Sequence, residues 1–303
     1  MTDSYYGRPI LKAPVWKPQI PWYFFTGGLA GASSILSLAA RMTGNRRLAR
    51  TSLAVALAGE LVSPVLLVTD LGRPERFLNM LRVFKVTSPM SVGSWILLAS
   101  GGATGTAAAC EALEILPKVR VVAEVASVVT GAPLAVYTAT LVSDTAVPVW
   151  HEARRELPFL FAAGAAASAG AAATLFTPRG HAGPARRLAV GAALAGETIA
   201  VTMERRLGFV GEPYRQGDTG RLSRASRAGA LGGAVLLAAS GRRSRAAATL
   251  GSLLLLGGEV GRRFTVFRAG FDSARDPRYT VQPQKERLAQ RAADYPSTRS
   301  NPV

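Results

Sequence analysis

Three glutamates, Glu60, Glu197 and Glu259, stand inside stretches that are otherwise nearly free of charge. A charged side chain at mid-bilayer costs about 3 kcal/mol on insertion scales, so it usually faces a bundle interior and has a purpose there. Such a carboxyl can pass a proton, protonate a bound ligand, or pair with a basic neighbour and fix helix register. Glu259 lies near Arg262 and Arg263, which favours an ion pair. Glu60 and Glu197 stand well inside their runs, which favours a proton path. The second signal is Tyr137, deep in an apolar run with Thr138, Thr140 and Ser143 close by. Its hydroxyl can donate to a carbonyl in a lipid-accessible pocket, or bond a neighbouring backbone group. The third is Asp70-Leu71-Gly72-Arg73-Pro74, where Gly and Pro end a helix and leave Asp70 and Arg73 at a membrane boundary, either exposed to a ligand or as a local pair.

The residues that are missing constrain the chemistry further. There are two histidines, His151 and His181, both in predicted loops. A membrane cytochrome b needs paired axial histidines inside its bundle. The single cysteine, Cys110, can form neither an internal disulfide nor an iron–sulfur cluster, and reads as a small packing residue. No haem, metal or iron–sulfur site is therefore expected in this chain. If it handles electrons, they must arrive from another subunit and end on a diffusible molecule.

The elements that position these residues are membrane helices. The 303 residues carry 36 Lys and Arg, nearly all in short connecting stretches, while the apolar residues collect in eight runs. The runs are 21–40, 51–69, 91–110, 119–142, 157–177, 188–203, 225–241 and 246–261, each near the roughly 20 residues needed to cross a bilayer core. Backbone groups in lipid must be satisfied internally, so each reads as a helix. Trp22, Tyr23, Phe24 and Phe25 open the first and suit the membrane interface. The seventh is short and needs Arg224, Arg227 and Arg242 to snorkel. The net charge of +17 would suggest nucleic acid in a soluble protein. Here the basic residues flank helix ends, where they meet lipid head groups, and no nucleic acid partner is expected.

The expected fold is thus all-α and integral to the membrane, with about eight transmembrane helices and both termini on one side. Four parts follow: an extramembrane segment 1–20, a four-helix bundle 21–156, a second bundle 157–268, and a polar tail 269–303, of which 272–303 is disordered or ordered only on a partner. A faint echo, Gly59-Glu60 against Gly196-Glu197, occupies corresponding places in the two halves. The long loops and termini share one face, side A, while side B has only tight links. Those links are densely basic, which favours side B as cytoplasmic and puts the termini outside.

The chain resembles the NrfD / polysulfide reductase membrane-subunit family at several stretches: Trp22-Tyr23-Phe24-Phe25-Thr26-Gly27-Gly28, Asp70-Leu71-Gly72-Arg73-Pro74, Ser88-Pro89-Met90-Ser91, and Tyr137-Thr138 through Pro148-Val149-Trp150. Arg268-Ala269-Gly270 and Ser273-Ala274-Arg275-Asp276-Pro277 are softer echoes. The resemblance implies a haem-free subunit of the inner (cytoplasmic) membrane that binds a quinone, menaquinone being the expected species. It also implies an iron–sulfur, ferredoxin-like subunit docked on side A, itself joined to a molybdopterin catalytic subunit. The family's quinone pocket lies in the first bundle and uses a Tyr of the fourth helix, which matches Tyr137, while its Asp matches Asp70. Arg73, Asp144 and His151 complete the expected site, and Asp70, Asp144 or His151 would carry surface protons. Some relatives add an Asn or His from the first helix, and residues 21–40 contain neither. The competing expectation is a transporter or proton-conducting subunit that uses Glu60, Glu197 and Glu259.

Overall fold

The computed structural model describes residues 10–294 except 74, 240 and 242. The described residues form eleven α-helices and no strand. Helix α1 spans Gln19–Met42 and α2 Arg46–Asp70, followed by the short α3, Arg76–Arg82. Then come α4, Pro89–Ala112, α5, Pro117–Ser143, and a second short helix, α6, Pro148–Glu152. The second half holds α7, Leu157–Phe176, α8, Gly183–Leu207, α9, Gly217–Ala239, α10, Arg245–Arg275, and α11, Arg278–Asp294.

Local chemistry sets several boundaries. Asn45, Ser88 and Ser244 cap α2, α4 and α10 by accepting the backbone N–H of Leu48, Ser91 and Ala247. Pro89 and Pro117 stand in the first turns of α4 and α5, where a missing N–H has no cost. Helices α1, α2, α5 and α7 are long and apolar enough to cross a membrane. Helices α4, α8, α9 and α10 are also long, but are richer in small or charged residues.

Helix α1 packs against α2, α5, α7 and α10, and α4 against α2 and α5. In the second half α7 packs against α8 and α10, and α9 against α8 and α10. Close approach depends on missing side chains. A Cβ on Gly31 of α1 would lie 2.1 Å from the Gly131 carbonyl oxygen of α5, and one on Gly258 of α10 would lie 2.4 Å from the Ala230 nitrogen of α9. Outward, Leu61, Val65, Leu98, Val122 and Val129 are exposed, an apolar exterior that suits lipid rather than water.

The loops gather at two ends. At end B, Asn45 donates to the His181 carbonyl (2.8 Å) and Arg179 to the Arg243 carbonyl (2.8 Å). At end A, Trp16 stacks on Trp150 at 5.6 Å, Arg206 forks onto Glu156, and Tyr279 donates to Glu212 at 3.0 Å.

Three expectations change. Tyr23 and Phe24 are fully buried and do not lie at an interface, because their side of α1 faces α5 and α7; only Trp22 of the named aromatics is exposed. The seventh run is the apolar part of a longer helix that begins eight residues before it. Helix α9 has 23 residues, and Arg227 turns toward Glu197 and Glu204 instead of snorkelling. Residues 269–294 are not an unstructured tail. Helix α10 continues to Arg275, and α11 lies against α6 with Tyr279 buried. Polarity hid both extensions, which are tied down at end A by Thr219 on Asp272 and Tyr279 on Glu212.

Candidate functional site

Tyr137 projects from α5 toward α1, about six residues, or roughly 9 Å, below the end A terminus of its helix. Its hydroxyl lies 2.5 Å from that of Tyr23, and the rings meet edge-on at 6.4 Å. Gly93 of α4 makes room for the ring, since a Cβ there would fall 2.0 Å from it. Tyr23 is wholly buried and Tyr137 nearly so. Within the pair one phenol donates and the other accepts, which leaves one O–H without a partner among the described residues. A buried donor left unmade costs about 1–3 kcal/mol, so this corner suits a ligand that brings an acceptor.

Below the pair, polar side chains continue through the α1–α2–α4–α5 interior. Thr26 and Ser63 share a hydrogen bond of 2.8 Å, and Ser63 donates to the Gly59 carbonyl. Glu60 is buried, accepts from Ser100, and has a second carboxyl oxygen with no partner. The hydroxyls of Ser33, Ser52 and Thr104 are likewise buried without partners. Such groups suit internal water, which usually makes about three hydrogen bonds to polar atoms of this kind. Toward end B, buried Glu124 meets Arg41 at 2.6 Å, and Glu111 gathers Arg41, Arg50 and Arg120 at 2.6–3.0 Å.

The second half carries a different arrangement. Glu197 pairs with Arg227 and Arg262, Arg227 also reaches Glu204 at 3.0 Å, and Arg262 lies 3.7 Å from Glu259. Arg263 is 2% exposed, donates to the Phe161 carbonyl at 2.8 Å and stacks 3.8 Å over the Phe161 ring. Gly164 leaves room for Glu259 and Arg263. Sequence reasoning missed Tyr23 and Arg263 as interior residues. The aromatic cluster and the Arg262-Arg263 doublet marked their places without the direction each side chain takes.

Four of the expected residues lie at end A but away from the phenols. Asp70 accepts the Lys17 backbone N–H at 2.9 Å, tying the N-terminal segment down. Arg73, Asp144 and His151 are exposed, and none of the four bonds either phenol. His151 instead borders a cavity of about 220 Å³ with Tyr279 and Arg287. Burial and the adjoining Glu212 push the Tyr279 phenol up to about 12. Among the described residues no group of three or more His, Cys, Asp or Glu is placed to hold a metal ion.

Fold and site together define an all-helical membrane protein with a buried phenol pair near one end. Residues 11–187, more than half of the chain, match the family described as polysulphide reductase, NrfD, and the chain belongs to that family. Its members are membrane subunits of quinone-linked oxidoreductases, and typically assemble with iron–sulfur and molybdopterin subunits. No curated protein matches the chain.

Proposed function

We propose that this protein is the quinone-reactive membrane anchor of a multi-subunit oxidoreductase, exchanging electrons between a quinone, of menaquinone type, and an iron–sulfur subunit docked at end A. The observation that carries this reading is the Tyr23–Tyr137 pair, with one O–H undonated in an apolar corner near end A. A quinone carbonyl supplies the acceptor that the pair lacks. Reduction at that carbonyl needs protons as well as electrons, and a phenol pair can donate one and be resupplied.

Glu60 is the proton carrier that the surroundings favour. It has a serine donor, an unpartnered oxygen, and no Lys or Arg within 4 Å among the described residues. Glu197 and Glu259 sit beside arginines, which favours fixed register over proton movement. Asp70, by holding Lys17, acts through the N-terminal segment over the site, with Arg73, Asp144 and His151 on the surrounding end A surface. Eight membrane spans in two four-helix groups, with both termini on the outer face of the cytoplasmic membrane, complete the proposal. The helix lengths and the packing of α1, α2, α4 and α5 support it.

The test uses the purified complex. Tyr137→Phe should lower quinone-linked turnover by about 10–100-fold, the equivalent of one buried hydrogen bond, while the iron–sulfur partner still co-purifies. Unchanged turnover in both Tyr137→Phe and Asp70→Asn would falsify the site. The second reading, a proton-conducting subunit without quinone chemistry, draws on Glu60 and on the chain of charges from Glu259 through Arg262, Glu197 and Arg227 to Glu204. It predicts that a lone, stable homo-oligomer purifies and that Tyr137→Phe is silent.

A further inference from the structure

At end A, the start of α9, the last turns of α10 and the start of α11 enclose a cavity of about 630 Å³ that plays no part in the phenol site. Its carboxylates are occupied. Asp272 accepts the Thr219 hydroxyl at 2.7 Å, and Asp218 pairs with Arg221 at 3.1 Å. Asp276 is gripped by Arg278 through both oxygens, which holds its carboxyl below the usual range and keeps it ionised. Two lining cations remain. Arg268 and Arg275 have no acceptor within hydrogen-bonding distance among the described residues.

These two arginines stand seven residues apart on one face of α10, with Phe271 between them in the cavity wall. Helix α10 runs from end B to end A, and the two arginines line the same cavity about 10 Å apart along its axis, a gap that two long side chains can close on one oxyanion. Depth is marked by Trp22, packed edge-on against Phe264 at 5.6 Å, one helical turn before Arg268. Aromatic residues of this kind collect at the membrane interface. At 1.5 Å per residue Arg268 then sits about 6 Å outside that level, within the head-group layer. A guanidinium is a planar fork that matches two phosphate oxygens.

We propose that the α9–α10–α11 cavity binds a phosphate oxyanion between Arg268 and Arg275, supplied by the head group of an anionic phospholipid. Free phosphate offers the same chemistry, so the experiment separates the two sources. The full-length protein is reconstituted in nanodiscs of phosphatidylcholine alone or with phosphatidylglycerol, and thermal unfolding is followed. In phosphatidylcholine alone, inorganic phosphate is compared with chloride at matched ionic strength. Phosphatidylglycerol should raise the wild-type midpoint by several degrees. R268Q/R275Q should lose that increment and keep its midpoint in phosphatidylcholine, while R154Q, an exposed arginine at the same end, should retain the increment. A shift produced by inorganic phosphate alone, absent in the double variant, would assign the site to the free anion. An equal phosphatidylglycerol increment in wild type and R268Q/R275Q, or no response of wild type to either source, overturns the proposal. If R268Q/R275Q does not fold, the single variants R268Q and R275Q are read by the same outcomes.

Discussion

At the residue scale, the phenol pair carries the most chemistry. Tyr23 and Tyr137 lie 114 positions apart, and each is the other's hydrogen-bond partner. If they act as one unit toward a quinone carbonyl, the double variant Tyr23→Phe/Tyr137→Phe should lose little more turnover than the worse single variant, because coupled residues are not additive. Losses that multiply would show that they act separately. Arg263 poses a stability question instead. Arg263→Met removes a buried hydrogen bond, a cation–π contact and a charge near Glu259. Breaking such an arrangement from one side costs about 3–5 kcal/mol. Chemical unfolding in micelles should therefore show Arg263→Met well below wild type, with part of the loss recovered in Arg263→Met/Glu259→Gln. No recovery would mean that Glu259 is compensated entirely by Arg262.

At the element scale, helix contact depends on backbone meeting backbone. Gly31→Ala would press a methyl group into the Gly131 carbonyl and part α1 from α5. Overpacking of this kind costs about 1–3 kcal/mol, and should appear as a lower unfolding midpoint together with weakened activity. Gly93→Ala is the sharper test of the site. It leaves α1 against α5 but drives the Tyr137 ring aside, so turnover should fall further than stability. If both fall in proportion, Tyr137 is a packing residue. The N-terminal segment is a separate element, held by the Lys17–Asp70 bond and the Trp16–Trp150 stack. Asp70→Asn keeps an acceptor but loses its charge, so its effect on stability should be under about 1 kcal/mol.

For the whole molecule, the eight-span proposal makes a topological prediction. Cys110 is buried, so single reporter cysteines can be placed elsewhere without competition. Lys12→Cys and Lys285→Cys should react with an impermeant reagent from one side of sealed vesicles, and Arg47→Cys from the other. Labelling of Lys12→Cys and Lys285→Cys from opposite sides would mean an odd number of spans. The two halves also differ in kind. Glu60 has a serine for its partner, whereas Glu197, its counterpart in the sequence echo, is bound by two arginines. The resemblance between Gly59-Glu60 and Gly196-Glu197 therefore does not extend to their surroundings.

The sequence alone determined the helical class, the membrane setting, the family, and the place of the eight helices of 20 residues or more, because apolar length and helix-breaking residues are local properties of the chain. It also marked Glu60 and Tyr137, since a carboxyl or phenol inside an apolar run stands out without knowledge of its neighbours. It did not determine which way the helices face. Helices such as α7, built from Ala and Gly all round, have no one-sided apolar stripe from which a rotation could be read. Only tertiary packing set those rotations. With them came the meeting of Tyr23 and Tyr137, the inward turn of Arg227 and Arg263, and the use of Asp70 to hold Lys17. The polar ends of α9 and α10 and the whole of α11 were hidden for a related reason. Thr219 with Asp272 and Tyr279 with Glu212 are partners far apart in sequence, so composition read as solvent exposure stretches that the fold ties down.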